Sequence, residues 1–418
     1  EAKADDDYII TIHDNIYDTD GNHFTANDVK FSLDKNKEGG KATQMMSTYV
    51  SSEVIDDYTI EVHTNSTEWG NVEAFCCFCS MVTEKAYTDH DMNTDPCSTG
   101  PYKLESYTQG SEIVLAKNED YWQTDASANA ESQQQNIGRI VMKIMSEPSQ
   151  VTIAMQTGEI DCAYTISTTD LPLFESDGAH TVSSILSYQG MQLYYNCDPS
   201  SIFNDVKVRQ AASYAIDAGQ ILAASFNGEG ELNKGFAYSN QGGWQDKWAD
   251  QPYYEYDLDK AKELMAEAGI TTPVNITFMV DSSKKILTDA APVVQAQLAA
   301  IGFNVNIVSY DHAVFATNQR DASQYDLYLD VHIGDYVSHN ARYWLDQRYY
   351  EGTSINFFKD DHLQELIETC LQISTHSDET VDEMLQYTNE QIPIYAVCQG
   401  RTYFVHTDKI QSVYVDCA

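Results

Sequence analysis

The sequence predicts an α/β fold with two lobes, because strand-like and helix-like segments alternate in both halves of the chain. In the first half, a β-rich run at residues 8–13 precedes a helix that opens at Thr25. In the second half, one helix ends at Gly269 and another at Gly302, and a strand follows each of them. This repeated order of helix, glycine and strand indicates parallel pairing. A length of 418 residues agrees with two or three domains, since a domain has roughly 150 residues.

The elements expected in the first lobe depend on capping and turn residues. Thr25 is a suitable N-cap, and Asp28 three residues later comes close to a capping box. Gly100-Pro101 fixes a turn that delivers the chain into a strand. In chain order we expect a strand at 8–13, the helix from Thr25, two strands within 54–62 around an Asp-Asp turn, a strand after Pro101, a helix at 150–157 and a strand starting at 158–161.

The chain is organised around residues 194–217, which lead into the second lobe. A short aromatic run is typical of a strand, Asp205 stands at an N-cap position, and the apolar residues that follow repeat at three- and four-residue spacing. Arg209 lies in this helix, where we expect it to form a structural ion pair. Further along we expect helices at 258–268 and 290–300, strands at 274–280, 303–307 and 325–329, a helical region at 362–389 and a returning run at 392–395.

The charge of the chain argues against several classes of function. Lysine and arginine number 24 against 64 aspartate and glutamate residues, which gives a formal net charge of -40. Such a field repels nucleic-acid backbones and anionic lipids, and it suits a soluble, exported protein. No stretch approaches the ~18 apolar residues of a membrane span. No secretion signal opens the chain, so we expect that one was removed or never encoded.

The nine cysteines leave three alternatives open. The run at 76–79 holds three of them and Cys97 follows, so an exported protein could pair two of these in a disulfide. Zinc is a second alternative, although adjacent cysteines cannot easily both face one ion. Buried free thiols are the third. Three scattered cysteines are expected in hydrophobic cores, namely Cys370, Cys398 and Cys417.

The sequence contains no catalytic signature. It lacks a Gly-x-Ser-x-Gly elbow, a Walker loop and a His-Glu-x-x-His motif. His332 and His339 are seven residues apart, which is not a usual spacing for two ligands of one metal. Neighbouring acids such as Asp56-Asp57 are expected in solvated turns, because a chain this acidic places such pairs together by chance. The sequence therefore predicts no enzyme activity, no cofactor and no metal ligands.

Four strings of residues are typical of one family. They are Gly100-Pro101-Tyr102, Asn118-Glu119-Asp120-Tyr121-Trp122, Gly158-Glu159-Ile160-Asp161 and the stretch 194–217. Because these strings occur in the order typical of that family, the chain resembles the solute-binding proteins of peptide-class ABC transporters over roughly residues 8–410. This is the oligopeptide- and dipeptide-binding group, also called family 5. The resemblance implies a two-lobe, periplasmic-binding-protein-like fold of class II with an extra subdomain on lobe I.

The resemblance also implies where the chain divides. Residues 1–95 would form the appended subdomain and residues 96–190 the α/β part of lobe I. Residues 191–393 would form lobe II, and residues 394–418 would return to lobe I. The two crossings between lobes are expected near residues 186–196 and 390–398. Family members usually carry a further leading segment, which holds the first strand of lobe I and one edge of the ligand groove, and this chain begins after it.

The implied function is the capture of peptides for transport. A di- or oligopeptide would bind in a cleft between the lobes, favour the closed form by hinge bending and pass to an ABC permease in the membrane. We expect an extracellular monomer, anchored by lipid at the cell surface or periplasmic in a bacterium. A non-peptide solute such as an oligosaccharide or a metal chelate, and a sensor or adhesin role, remain alternatives. An extracellular hydrolase is disfavoured.

The ligand site is expected just after a strand of lobe II. In the family, a Gly-Trp-x-x-Asp-type stretch pairs its backbone with an extended peptide, and its Asp binds the ligand's ammonium group. Here Gly334 and Asp335 keep the small residue and the acid, whereas Val331 and His332 replace Gly-Trp. A peptide would depend mainly on Asp335, and another solute on His332 and the following tyrosine. The expected ligand-binding residues, including aromatic groups at the crossings and in a loop, are Asp335, Gly334, Ile333, His332, Tyr336, Tyr194, Tyr395 and Trp244.

Overall fold

A computed structural model describes residues 2–4, 7–39, 46, 48–70, 79–129, 133–164, 166–233, 235–251, 253–334, 336–350, 352–411 and 413. The chain forms two compact units, one from residues 1–160 with 409–418 and the other from residues 161–408. Both combine helices with β-sheets, so the predicted α/β class is confirmed. The expected domain boundaries at residues 95, 190 and 393 divide the chain differently and stay a prediction.

The first unit has two antiparallel sheets and three α-helices in its described part. The strands are β1 (Ala2–Ala4), β2 (Asp7–Thr11), β3 (Tyr49–Asp56), β4 (Thr59–Thr64), β5 (Tyr102–Thr108), β6 (Glu112–Lys117) and β7 (Arg139–Lys143), and the helices are α1 (Ala26–Glu38), α2 (Glu84–Asp89) and α3 (Pro148–Gln156). One sheet has the order β1-β2-β4-β3 and the other β5-β6-β7.

Helix α1 begins and packs as its sequence predicts. The Asp28 carboxylate accepts a hydrogen bond from the Thr25 backbone N–H at 2.8 Å. Val29 and Leu33 lie four residues apart on the buried face of the helix. They share a core with Ile60 of β4, so the helix covers one face of the four-stranded sheet.

The second unit contains most of the helices and the largest sheet. Its strands are β8 (Cys162–Ala163), β9 (His180–Tyr195), β10 (Gly230–Leu232), β11 (Val274–Asp281), β12 (Phe303–Tyr310), β13 (Leu327–Ile333) and β14 (Ile394–Thr407). Its α-helices are α4 (Leu171–Glu175), α5 (Val206–Tyr214), α6 (Ala218–Phe226), α7 (Leu258–Glu267), α8 (Lys285–Ala299), α9 (His312–Asn318), α10 (Val337–Leu345), α11 (Asp361–Leu371) and α12 (Asp378–Gln391).

These strands form one mixed sheet with the order β10-β14-β9-β13-β11-β12, and β8 pairs with β14. β11 runs parallel to β12 and to β13, as the repeated order of helix, glycine and strand predicted. The other pairs are antiparallel, including the long pair of β9 with β14. Helix α5 packs on α7 and α6 on α8, and their apolar faces join the strands in one extended core.

Several elements differ in extent from the prediction. Residues 158–161 do not form a strand, and the short β8 starts at Cys162 instead. Helix α8 begins five residues before the expected start at Ala290, and its extra turn adds the buried Leu287 to the apolar face. The helical region at 362–389 is two helices, α11 and α12. The Ser377 side chain accepts a hydrogen bond from the Thr380 backbone N–H, which starts α12 as a separate helix.

The helix at 206–214 starts as predicted, but its arginine has a different role. The Asp205 carboxylate caps the helix by accepting from the Lys207 backbone N–H at 2.8 Å. Arg209 forms no ion pair with a described residue, contrary to expectation. Its guanidinium donates to the backbone oxygens of Phe203, Asn204 and Gln391, each at 2.9 Å. Arg209 is therefore a buried link between two segments, the turn before its own helix and the end of α12.

Cys370 and Cys398 are buried, as expected of core residues, whereas Cys417 lies outside the described residues. Cys76 and Cys77 also lie outside them, so a disulfide at this run stays a prediction. Cys97 is a buried free thiol in the described structure. Of the helices described here, none has both the length and the apolar character needed to cross a membrane.

Candidate functional site

Strand β13 delivers the predicted ligand-binding stretch to one end of the seven-stranded sheet. It pairs with β9 along its whole length, from Leu327 to Ile333. Its pairing with β11 ends at Leu329, opposite Val280. No strand in the described part of the chain pairs with this edge of β13 beyond that point. The backbone N–H and C=O groups on the edge from Asp330 to Ile333 can therefore pair with an added strand.

The negative charge of the acid on this edge, Asp330, is compensated by a lysine. The Asp330 carboxylate is nearly buried and lies 2.6 Å from the Lys284 ammonium group. It also accepts hydrogen bonds from the Gln319 amide at 3.3 Å and from the Val331 backbone N–H at 2.8 Å. These partners use most of its accepting capacity, so Asp330 stabilises the strand end and does not present a free charge.

His332 lies between aromatic rings at the same strand end. Its ring centroid is 4.0 Å from that of Trp344 and 5.3 Å from that of Tyr194. Burial lowers the pKa of His332 to about 4, although the Asp330 carboxylate at 3.4 Å opposes this effect. The imidazole is therefore neutral at pH 7. The atom that faces Asp330 at 3.4 Å is Nε2, which is buried and forms no hydrogen bond within the described structure.

Gly334 is the point where two amide side chains converge. A Cβ atom at this residue would lie 2.2 Å from the Nε2 atom of Gln241 and 3.3 Å from the side-chain oxygen of Asn340. The Gln241 side-chain oxygen accepts from the Tyr238 backbone N–H at 2.9 Å, so its NH2 group is the end directed to Gly334. Only a residue without a side chain allows this approach.

Helix α10 supplies the other polar groups. Tyr336 occupies the N-cap position, and Asn340 and Trp344 follow at intervals of four residues, so all three lie on one side of the helix. We call Gln241, His332, Asn340 and Trp344 the polar cluster. Within the described residues, Nε2 of Gln241, Nε2 of His332, both amide atoms of Asn340 and Nε1 of Trp344 are buried without hydrogen-bond partners.

Unpartnered buried polar atoms are rare in folded proteins, and each costs about 1–3 kcal/mol. Five such atoms within one cluster indicate a place that is completed by something outside the chain, a ligand or ordered water. The cluster holds donors and acceptors but no net charge at pH 7. It can therefore bind groups such as amides, hydroxyls and carbonyls.

The remaining predicted site residues occupy different surroundings. Tyr194 is buried and stacks on Tyr328 with ring centroids 4.5 Å apart, so it supports the cluster from the core. Tyr395 is also buried, with its ring against Tyr254. Neither is exposed to solvent in the described structure. Both stay predictions as ligand contacts.

Trp244 and Tyr336 lie nearer the surface. Trp244 packs edge-on against Trp248, and both line a shallow pocket that does not include the polar cluster. Tyr336 is 41% exposed, and its ring contacts Gly242, where a Cβ atom would lie only 2.4 Å from it. The backbone of Ile333 pairs with Gln189 of β9. Asp335 lies outside the described residues, so its role as the ammonium anchor stays a prediction.

Sequence reasoning missed Gln241, Asn340 and Trp344. A signal for two of them was available, because residues 336, 340 and 344 repeat at helical spacing directly after the predicted site. Gln241 has no such signal, since it reaches the cluster from a loop about ninety residues earlier in the chain. In the described part of the second unit, no three metal-ligating side chains lie together.

A methyl group at Gly334 tests whether the cluster serves ligand binding. We expect Gly334→Ala to displace the Gln241 side chain, which is flexible at its end, and so to leave the fold intact. Ligand affinity should fall about 10-fold, as expected for one hydrogen bond lost to a neutral group. Isothermal titration calorimetry with the bound ligand measures this. Gly243→Ala is a poor control because Gly243 has a positive φ, so Gly138→Ala, where nothing lies within 4 Å, serves instead.

Comparison with known proteins identifies the family. The model of the bacterial extracellular solute-binding proteins, family 5 Middle, matches residues 1–353. A Brucella ovis protein, assigned by its name to peptide binding for an ABC transporter, is 23% identical over 68% of this chain. The chain spans about half of that relative, 54% of its length.

Solved structures show the same fold. AppA from Clostridium difficile, a candidate peptide-binding protein, has a TM-score of 0.85 at 18% identity, and the match covers 98% of this chain and 86% of that one. NikA from Brucella suis, solved with Fe(III)-EDTA, has a TM-score of 0.81 at 18% identity, with 99% and 86% covered. The predicted resemblance is therefore confirmed: this chain belongs to the family 5 bacterial extracellular solute-binding proteins.

Proposed function

We propose that this chain is the substrate-binding component of an ABC importer and that its ligand is a di- or oligopeptide. The observation that carries the proposal is the polar cluster beside the uncovered edge of β13. An extended peptide has an amide N–H and a carbonyl at every residue. It can pair with a strand edge and satisfy neutral side-chain groups at the same time.

The charges around the cluster suggest that different residues bind the backbone of the peptide and its ammonium group. The cluster itself is neutral, so it suits the backbone of a peptide and not its ends. The ammonium group of the peptide would then bind Asp335, which follows Gly334 directly in the sequence. A strongly acidic chain also favours a cationic group over an anionic one.

Transport would follow from binding without any bond being broken. Peptide binding would favour a closed form of the protein, because contacts made only in that form shift the equilibrium towards it. The closed form would pass its ligand to a membrane permease. The protein would act as a monomer outside the cytoplasmic membrane, either anchored by lipid or periplasmic. The family supports the extracellular location.

Mass spectrometry of the purified protein, first native and then denatured, tests the ligand class. We expect denaturation to release a series of peptide masses, or a mixture of short peptides to bind when the protein is isolated empty. Asp335→Ala should weaken peptide binding about 10- to 100-fold, because a charge-assisted pair contributes about 1.5–3 kcal/mol. Asn340→Ala should weaken it about 10-fold through the loss of hydrogen bonds in the cluster.

Asn304→Ala is the matched control. Asn304 is exposed on β12, where its amide donates to the Asn275 side chain at 2.6 Å, and its loss should leave peptide binding unchanged. Release of a single non-peptide mass would contradict the peptide proposal and leave a binder of another solute. NikA, solved with a metal chelate, makes that the second candidate. Wild-type peptide affinity in both Asp335→Ala and Asn340→Ala would show that the site lies elsewhere.

A further inference from the structure

We propose that the first unit contains a zinc-binding site formed by Asp20, His90 and Cys97. A carboxylate oxygen, a ring nitrogen and the thiol sulfur of these residues all lie within 4.8 Å of one another. Thiolate, imidazole and carboxylate are the three ligand types that zinc prefers. The sequence left zinc open only for the cysteines at 76–79 and Cys97, and it did not indicate Asp20 or His90, because the three residues come from segments up to 77 positions apart.

Two of the three segments, those of Asp20 and His90, are held together by a neighbouring carboxylate. Asp18 is buried and accepts from the backbone N–H groups of Asp20 at 3.0 Å and Asn22 at 2.8 Å. It also accepts from the Thr83 hydroxyl at 2.6 Å. Thr83 is the N-cap of α2, and His90 follows the last residue of that helix. The turn that carries Asp20 is therefore fixed to the helix that positions His90.

The thiol is fixed to the same turn. The Thr19 hydroxyl donates to the Cys97 sulfur at 3.3 Å, and the Thr19 backbone N–H donates to the Ser98 oxygen at 2.9 Å. Cys97 is 2% exposed, whereas the Asp20 side chain is 51% exposed. The site is thus buried on the thiol side and open on the carboxylate side. The open side leaves room for a water molecule as a fourth ligand.

The histidine carries the support that zinc-bound imidazoles generally have. Its Nε2 atom faces Asp20 Oδ2 at 2.8 Å, while its Nδ1 atom lies 3.0 Å from Asp95 Oδ2. A carboxylate on the nitrogen that does not bind metal fixes the tautomer and orients the ring. Asp95 is itself positioned, because its backbone N–H donates to the Asp91 oxygen at 2.8 Å.

Insertion of the ion requires the nitrogen and oxygen to separate, and it requires the Cys97 sulfur, which lies within 4.8 Å of both, to approach them by up to about 1 Å. Zinc forms bonds of about 2.0–2.3 Å in a tetrahedral arrangement, so neighbouring ligand atoms stand roughly 3.3–3.6 Å apart. The nitrogen of His90 and the oxygen of Asp20 would have to separate by about 0.5 Å from their present contact, and the half-exposed Asp20 side chain can move by that much. The two anionic ligands, carboxylate and thiolate, would balance the charge of the ion.

A second group in the first unit is a weaker candidate. Asp7, Glu61 and His63 also lie within reach of a common ion, but they are partly exposed on a sheet face and include no thiol. Hydrogen bonding of His63 to Asp7 at 2.7 Å accounts for their proximity as an ordinary surface pair. The two candidate sites can be distinguished by experiment, because a metal ion bound to this second group would have no sulfur ligand.

Titration of the metal-free, reduced full chain with cobalt(II) and zinc(II) tests the proposal. We expect one tight site, with a thiolate-to-cobalt charge-transfer absorption that zinc abolishes. Cys97→Ser should lose this absorption, and Asp20→Asn and His90→Gln should weaken zinc binding. Asp95→Asn should weaken it about 10- to 100-fold, as expected for the loss of a carboxylate behind the histidine.

Cys162→Ser is the matched control, because Cys162 is an exposed thiol of the second unit and its loss should change nothing. Thermal unfolding of each variant shows that it is folded. Asp20 is half exposed, so its variant keeps the test valid even when Cys97→Ser does not fold. The proposal is overturned by the absence of a thiolate band, by a band that persists in Cys97→Ser, or by zinc affinity that is unchanged in Asp20→Asn.

Discussion

Replacing Arg209 with methionine is expected to lower the free energy of unfolding of the second unit by about 3–5 kcal/mol. The guanidinium is 2% exposed and donates to three backbone oxygens, of Phe203, Asn204 and Gln391. Methionine fills a similar volume but donates no hydrogen bond. Each buried oxygen that loses its donor costs about 1–3 kcal/mol, and the three losses together exceed any gain from removing a buried charge.

The position of Arg209 explains why the loss should be cooperative. It joins the end of α12, at Gln391, to the turn before α5, and its guanidinium also lies 5.2 Å from the centre of the Phe358 ring. Asn356 reinforces the same junction by donating to the backbone oxygens of Tyr195 and Pro393. The ends of β9 and the start of β14 therefore depend on a small set of buried donors.

Lys207→Met is the matched control for this prediction. Lys207 lies on the same helix, is exposed and pairs with Glu267 at 3.0 Å. A surface pair of this kind contributes at most about 1 kcal/mol, so the control should barely change stability. Chemical denaturation followed by circular dichroism measures both variants. Equal midpoints for Arg209→Met and Lys207→Met would show that the three hydrogen bonds do not stabilise the fold as argued.

Local signals in the sequence were sufficient to predict most of the helices and strands of the fold. Thr25 and Asp205 mark helix starts, and Gly269 and Gly302 mark helix ends, because caps and left-handed turns depend on residues within one helical turn. The parallel pairing of β11 with β12 followed from the repeated order of these elements. The prediction failed where packing against the rest of the fold determines an element's extent, as at α8, whose first turn lacks a side-chain N-cap but buries Leu287.

The candidate site could be located from the sequence but not completed. The strand that carries His332 and Gly334 was predicted from its own residues and from the family resemblance. The partners of those residues were not, because Gln241 comes from a distant loop and meets Gly334 only in the folded chain. The predicted ion pair of Arg209 was wrong for the same reason, since a sequence does not show which backbone carbonyl oxygens a side chain will meet. Side chains that act through backbone atoms or across long loops require the structure.

Lowering the pH from 7 to 4 is expected to destabilise the wild-type protein by about 3 kcal/mol more than the His332→Gln variant. Burial lowers the pKa of His332 to about 4 in the folded protein, against 6.5 in the unfolded chain. Between these values the unfolded chain binds a proton that the folded protein does not. The stability that the protein gains by keeping His332 neutral is fully present above pH 6.5 and is lost as the pH falls towards 4. The difference between the two pKa values corresponds to about 3 kcal/mol of unfolding free energy.

The groups around the imidazole determine this direction. Asp330 favours the protonated form, but its charge is shared with Lys284 at 2.6 Å, and the rings of Trp344 and Tyr194 exclude water. Denaturant midpoints measured at several pH values compare the two proteins, and the many carboxylates contribute equally to both. Tyr194→Phe is the control, because it removes the hydroxyl that donates to Gln192 but keeps both the ring and the imidazole, so its pH dependence should follow the wild type. Parallel curves for wild type and His332→Gln would mean that the histidine is protonated, and solvated, in the folded protein.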